Sequence, residues 1–300
     1  MKIAVTGGTG FVGRALTKEF IQNGDEVFIL TRNINAKENK KQITYVQWLN
    51  EGDQPWSILE GTDVFINLAG ESINSGRWSE NRKKRILDSR ISATTEVLKI
   101  ISKLEKRPEV FIQASAVGCY GTSDSEIFTE EFCEAGTDFL ARTVLQWEAS
   151  ARKIEALNIR TVYCRFGIIL DALDGALPRI ALPYKVFAGG TVGSGKQWVS
   201  WIHLKDVVGG ILFAANNKHL KGPVNFTAPN PVRMKEFGQI LGKILHRPHW
   251  IPAPAFALRM ALGEMSILVL EGQKVLPQTL LTHGYSFLFN DLQHALEDIY

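Results

Sequence analysis

The sequence predicts a doubly wound α/β fold: a parallel sheet with helices on both faces and a smaller, discontinuous lobe toward the C-terminus. Three observations carry that expectation. Short apolar runs, rich in β-branched and aromatic residues, recur at 2–6, 26–30, 43–48, 63–69, 110–115 and 160–166, each bounded by turn residues as buried strands are. Helix-periodic segments separate most of these runs, the rhythm of βαβ units. The first run, "KIAVT", leads straight into "TGGTGFVG", a glycine-rich turn that itself opens a helix.

In that turn Gly7, Gly10 and Gly13 stand as G-x-x-G-x-x-G, and Val12, Leu16 and Phe20 share one face of the helix that follows. The strand–turn–helix context gives the glycines their meaning. Gly7 permits the tight turn, Gly10 lets the backbone approach a pyrophosphate, and Gly13 lets helix and sheet pack closely. The helix N-terminus offers N–H groups and partial positive charge to phosphates. Thr9, Phe11 and Val12 lie within the same cradle. The second strand ends "ILTRN", so Thr31 and Arg32 stand where an NAD-binding fold places an acid for the ribose 2′-hydroxyl. Glu26 comes too early to serve. Arginine pairs with a 2′-phosphate, so the expected cofactor is NADP (NADPH).

Farther along, residues 79–106 read as one long helix, beginning at a Ser or Asn cap and ending before Pro108. The stretch "DFLARTVLQWEASARK", 138–153, reads as an amphipathic helix with Leu140, Val144, Leu145 and Trp147 interleaved among polar residues. After Phe166 glycine and proline become frequent; helices are expected near 205–216 and 233–245, with a strand near 223–227. The expected division is a dinucleotide-binding domain over 1–166, to which part of 190–230 returns. Residues 167–300 form mainly a substrate lobe, including a distinct tail over 246–300.

Bulk properties narrow the function classes. Of 300 residues 45% are hydrophobic, as in a soluble globular protein. A net charge of +3 is too small to imply a nucleic-acid partner, and the basic runs at 36–41 and 81–85 read as solvated faces. Cys119, Cys133 and Cys164 have no metal-type spacing. No charged-then-apolar leader opens the chain, and no apolar run approaches the ~18–20 residues of a membrane helix. The expectation is a cytoplasmic protein with a small-molecule substrate and no metal, nucleic-acid or membrane partner.

Four segments together resemble the extended, or atypical, short-chain dehydrogenase/reductase superfamily: "TGGTGFVG", "DVFINLAGE" (63–71), "ASAVGCYG" (114–121) and "WIHLKDV" (201–207). Further in, "NLAGE", "GRW", "GSGKQW", "WIH" and "LGE…LEGQKVLP" resemble epimerase family proteins with a dedicated C-terminal segment, over nearly the whole chain. The resemblance implies that Asp63 lies near the adenine and that Leu68, Ala69 and Gly70 line the ribose and pyrophosphate. It implies that Ser115 is the serine that holds a substrate's reacting oxygen, and that Ile168 and Ile169 pack against the nicotinamide. It also implies a homodimer through the two long helices.

Two departures from that pattern stand out. The superfamily's asparagine on the long helix aligns with Arg90, which could reach the cofactor, bind an acidic substrate or lie on the helix surface. The catalytic tyrosine and the lysine four residues later, counted from Ser115, fall at Leu140 and Val144. No tyrosine of the chain is followed four residues later by lysine. Tyr120, in the loop after the fifth strand, is the best substitute acid, with a substrate-binding role equally open. Glu71 would orient a substrate or cap its loop. His203 reads as structural, bonded to Asp206 or backbone, and Cys119 has no base beside it in sequence. Trp78, Trp198 and Trp201 would wall a pocket or fill the core. Lys196 would meet an anionic group or solvent. The favoured reading is an NADP-binding oxidoreductase or epimerase-like enzyme acting on a carbonyl or alcohol through Ser115 and Tyr120. The rival reading is a non-catalytic NADP(H)-sensing protein.

Overall fold

In the computed structural model, which describes residues 1–300 apart from Ala36 and Cys133, seven parallel strands form the central sheet. They are β1 (Lys2–Thr6), β2 (Glu26–Thr31), β3 (Ile43–Gln47), β4 (Val64–Asn67), β5 (Val110–Ala116), β6 (Arg160–Phe166) and β7 (Gly222–Phe226), in spatial order β7-β6-β5-β4-β1-β2-β3. Winding runs outward in both directions from β1 and β4, so the loops after these two strands diverge and leave a crevice at their carboxyl ends.

Strand alternation sorts the core into two layers. Ile3, Val5, Ile29, Ile66 and Ile112 face one way, against α1 (Phe11–Gln22) and a helix at Leu204–Asn216. Ala4, Phe65, Phe111 and Tyr163 face the other, against α2 (Glu80–Lys103) and α3 (Phe139–Arg152). Each fully buried aliphatic or aromatic side chain contributes about 1.5–3 kcal/mol. The caps fall where side-chain chemistry places them: Ser79 accepts from the Arg82 N–H at the start of α2, and Asp138 from the Ala141 N–H, 3.0 Å, at the start of α3. Leu145, expected on the apolar face of α3, is exposed.

The second unit gathers Leu170, Tyr184, Trp201, Phe237 and Leu296 around helices at Leu177–Lys185, Met234–Ile244 and Leu292–Ile299. The helix at Leu204–Asn216 and strand β7 return to the sheet. The tail is more interleaved than a lobe boundary at 167 implies. Leu280 and Phe287 enter the sheet core, while buried Asp206 accepts hydrogen bonds from the Leu288 and Phe289 N–H groups (2.8 and 3.0 Å) and from the Tyr285 hydroxyl (3.1 Å). Among the described residues no helix is long and apolar enough to cross a membrane. Cys133 and the first residue of the basic run 36–41 lie outside the described residues.

Candidate functional site

At the end of β1 the backbone dictates the residues. Gly7 has φ +67°, and a Cβ there would lie 2.8 Å from the Leu68 carbonyl oxygen. A Cβ on Gly13 would strike the Gly7 carbonyl and come within 2.6 Å of the Gly8 Cα. Gly10 caps α1 without any side-chain bond, which leaves the first-turn N–H groups, those of Phe11, Val12 and Gly13 among them, for a ligand. Arg14 clasps the loop by donating to the Thr9 carbonyl (2.9 Å) and pairing with Asp174. On the facing side, the Leu68 and Ala69 N–H groups both donate to Thr6 Oγ1 (3.1 and 3.3 Å), which fixes the start of the 68–70 turn against the cradle. This arrangement fits a dinucleotide pyrophosphate.

Thr31 ends β2 and donates to the Asn33 carbonyl; Arg32 follows it, exposed, with no side-chain partner among the described residues. A groove between α1 and strands β2–β3 is lined by Gly8, Thr9, Lys18, Lys37 and Tyr45. The Lys37 ammonium sits 5.7 Å from the Tyr45 ring centroid. Lys37 is a cation beside the cradle that the sequence reading assigned to a solvated face.

Asp63 is not at this edge. It precedes β4, at the amino ends of the strands, and its carboxylate accepts the Lys2 N–H at 2.9 Å. Ligands collect at the opposite, carboxyl ends, so Asp63 anchors the start of the sheet and does not approach the adenine.

Beyond the cradle a cavity of about 290 Å³ opens at the ends of β5 and β6. Its wall is mainly apolar: Ala116, Leu140, Val144, Trp147, Phe166 and Ile168 line it, with Arg90 on one side and the 267–273 segment closing another. The α3 positions that align with the family tyrosine and lysine, Leu140 and Val144, do face the cavity. They carry no proton chemistry.

Ser115 does not line this cavity. Successive strand residues point to opposite faces; its neighbour Ala116 borders the cavity, while Ser115, 2% exposed, donates to Glu148 Oε1 at 2.6 Å. Glu148 is itself buried on α3 and receives both Nε and Nη2 of Arg165, each at 2.9 Å. Arg165 Nη1 donates to the Tyr120 hydroxyl (2.9 Å), which donates in turn to Asn225 Oδ1 (2.9 Å). The result is a continuous chain, Ser115–Glu148–Arg165–Tyr120–Asn225, that ties α3, β5, β6 and β7 together with its members satisfied. Burial raises the Tyr120 pKa to about 12, although Arg165 beside it pulls the other way. A phenol so placed is a strut, not a proton donor poised near neutrality. Burial likewise pushes the Cys119 thiol up to about 12, which removes it as a nucleophile.

The remaining candidates divide. Arg90 lines the cavity and stacks 5.0 Å from the Trp147 ring centroid. Ile168 borders the cavity, whereas Ile169 packs into the sheet core. Glu71 pairs with Arg82 through its carboxylate (2.7 Å), its carbonyl accepts from Arg90 Nη1 (3.0 Å) and its own N–H donates to Ser89 Oγ (3.0 Å), so it closes the loop before α2. Trp78 donates to the Ile73 carbonyl and meets Phe139 edge-on, outside the cavity wall. Trp201 is fully buried in the core of the second unit, because its strand lies under the lobe; Trp198 is the tryptophan of that pair that reaches the cavity. Lys196 borders a separate surface hollow with Asp124 and Lys235. His203 is structural: Nδ1 accepts the Lys205 N–H (3.0 Å), Nε2 faces Asp298 (3.3 Å), and Asp206 turns to the tail instead.

Sequence reasoning missed Ala116, Glu148 and Asn225. The available signal was Arg165, a charge inside the otherwise apolar run 160–166, which requires a buried partner.

A family model described as "NAD dependent epimerase/dehydratase family" matches residues 3–161, and one described as "Domain of unknown function (DUF1731)" matches 253–299. The sequence is 51% identical over 299 residues to epimerase family protein YfhF of Bacillus subtilis (strain 168), covering 100% of this chain and 98% of that protein. The crystal structure of human epimerase family protein SDR39U1 (isoform2) with NADPH superposes with a TM-score of 0.89 at 32% identity, covering 100% of this chain and 99% of that one. The nucleoside-diphosphate sugar epimerase from Corynebacterium glutamicum gives a TM-score of 0.78 at 30% identity, covering 100% of this chain and 58% of that one.

Proposed function

Since this chain belongs to the NAD dependent epimerase/dehydratase family, we propose that it is an NADP(H)-binding oxidoreductase acting on a small, largely apolar carbonyl or alcohol without a tyrosine–lysine relay. The observation that carries this reading is a glycine cradle that tolerates no side chain, set beside an apolar cavity at the same edge of the sheet. A bound dinucleotide would supply or accept a hydride. Gly7, Gly10, Gly13 and the first turn of α1 would hold its pyrophosphate. Arg32 and Lys37 would provide positive charge for a 2′-phosphate, and no acid at the end of β2 would oppose it. The human relative's structure with NADPH supports the same preference.

The cavity chooses among substrates. At about 290 Å³ it lies at the small end of ligand pockets, and among the described residues Arg90 is the one cation in its wall. A nucleoside-diphosphate sugar would need more room and more charge than that. Leu140, Val144, Trp147 and Ile168 would exclude bulk water from the reacting carbon. With Ser115 and Tyr120 locked in their strut, the proton at the substrate oxygen would come from water, not from a side chain of the buried chain.

The second reading, an NADP(H)-responsive binding protein, is favoured by that same lack of a poised proton donor. Calorimetry with NADPH and NADH, followed by a carbonyl panel monitored by nicotinamide absorbance, separates the two. The oxidoreductase reading expects NADPH to bind at least about tenfold more tightly than NADH and to be consumed by at least one small apolar carbonyl. Tight NADPH binding without turnover favours the binding-protein reading. Failure to bind either dinucleotide removes both.

A further inference from the structure

Among the described residues Arg90 is the cation of a cavity wall that also carries the acids Asp138 and Glu271. It lies on α2, half-buried, with Nη1 donating to the carbonyls of Glu71 (3.0 Å) and Ile86 (2.8 Å). Its guanidinium stacks on Trp147. On the other side it fills the space where Gly70 lacks a Cβ; a Cβ there would sit 3.2 Å from Arg90 Cγ and 3.3 Å from Cζ. Two carbonyls, an aromatic face and a glycine therefore hold the planar group in one orientation.

What it lacks among the described residues is a carboxylate in direct contact, although the charge of Glu71 is felt at a distance. Glu71, whose carbonyl accepts from Arg90, spends its carboxylate on Arg82 (2.7 Å) and Arg85 (3.6 Å). Neighbouring arginines are matched: Arg165 with Glu148, Arg14 with Asp174. Arg90 has no carboxylate in salt-bridge contact among the described residues, its Nε and Nη2 meet no protein acceptor there, and the residue lines the cavity. Burial lowers its pKa to about 10, which leaves it charged at neutral pH. A fixed, charged fork with two donors that meet no protein acceptor, beside a mainly apolar cavity, matches one kind of ligand group, a planar anion received side-on.

We propose that Arg90 is the anchor for a carboxylate on the ligand of this cavity, so that the substrate class is a small oxo or hydroxy acid with an apolar body. The inference rests on the reading that the cavity receives a ligand beside the dinucleotide. The cavity size limits the acid to a few carbons or a single ring, and Leu140, Val144 and Ile168 suit its apolar part. The other source of an anion is the dinucleotide itself, because Arg90 also touches Gly70 at the edge of the cofactor crevice. The test separates the two.

Calorimetric titrations on the NADPH-loaded protein would compare phenylacetate and hexanoate with phenylacetamide and hexanamide, in wild type, Arg90→Gln and Arg90→Lys. The proposal expects the carboxylates to bind wild type about tenfold or more tightly than their amides. Arg90→Gln should erase that preference and leave amide affinity and NADPH affinity within about twofold; Arg90→Lys should restore only part of it. Unchanged amide binding reports an intact cavity, so a merely misfolded variant cannot imitate the result. A carboxylate preference that survives Arg90→Gln, or carboxylates that do not bind wild type at about 10 mM, would overturn the proposal. A loss of NADPH affinity of about tenfold in Arg90→Gln, with the carboxylate preference unaffected, would assign Arg90 to the cofactor instead. Wild-type protein that fails to bind NADPH would defeat the broader functional reading, a different outcome from any of these.

Discussion

The glycine cradle and the Ser115–Tyr120 strut lie at the same edge of one sheet, yet they have met opposite fates relative to the superfamily pattern. In the cradle the binding groups are backbone N–H groups, and the side chains matter because they are missing. In the neighbouring region the chemistry belongs to side chains, and every one of those positions now does something else. Leu140 and Val144 are cavity wall, while Ser115 and Tyr120 are tied into a buried ion-pair network. A backbone-built site changes only at the cost of the fold around it, whereas a side-chain-built site can be rewritten residue by residue.

The comparison can be broken most forcefully at Gly13. Gly13→Ala places a methyl against the Gly7 carbonyl and Gly8 Cα, so α1 must move off the sheet. Calorimetry should find NADPH affinity reduced by about a hundredfold or more; near-normal affinity would mean the cradle is not the binding site. The next largest effect belongs to the strut. Glu148→Gln strands Arg165 without its charge partner, and denaturant unfolding should show a loss of about 3–5 kcal/mol, with NADPH affinity little changed.

A pH effect follows from His203. Burial lowers its pKa to about 4, against an ordinary 6.5, so the unfolded chain binds the proton more readily. Its contribution to stability is therefore present above about pH 6.5 and is lost as pH falls toward 4. The loss is about 3 kcal/mol when complete, seen as a falling denaturation midpoint that His203→Asn, which keeps a capping acceptor, should flatten. Smallest is Ser115→Ala: deleting one hydroxyl bond to Glu148 should cost about 1 kcal/mol and leave ligand binding unmoved.

The sheet was legible because buried parallel strands write themselves as continuous apolar runs: six of its strands lie within a residue or two of their predicted ends, and β7 lies at 222–226 against an expected 223–227. The cradle was legible because its glycines have a local reason to be there. The relay was misread by one residue. Strand parity sends Ser115 and Ala116 to opposite faces, and nothing in "ASAVGCYG" says which of the two borders the cavity. Glu148 and Arg165 are 17 residues apart on different elements, so their pairing is a tertiary fact. Asp63 was placed by kinship at the wrong end of its strand. Trp201 and the tail residues Leu280 and Phe287 depend on how the second unit folds back, which periodicity does not encode.

An intact cofactor site beside a Ser115 and a Tyr120 that serve stability alone leads to one decisive experiment. The most direct test is calorimetric titration of NADPH into wild type and the Ser115→Ala/Tyr120→Phe double variant, with thermal unfolding of both. Dissociation constants and any turnover should agree within about twofold, and the variant, whose Arg165 loses its phenol acceptor, should have a clearly lower Tm. An unchanged Tm with binding or turnover abolished would contradict that stabilising role, and would return both residues to the chemistry.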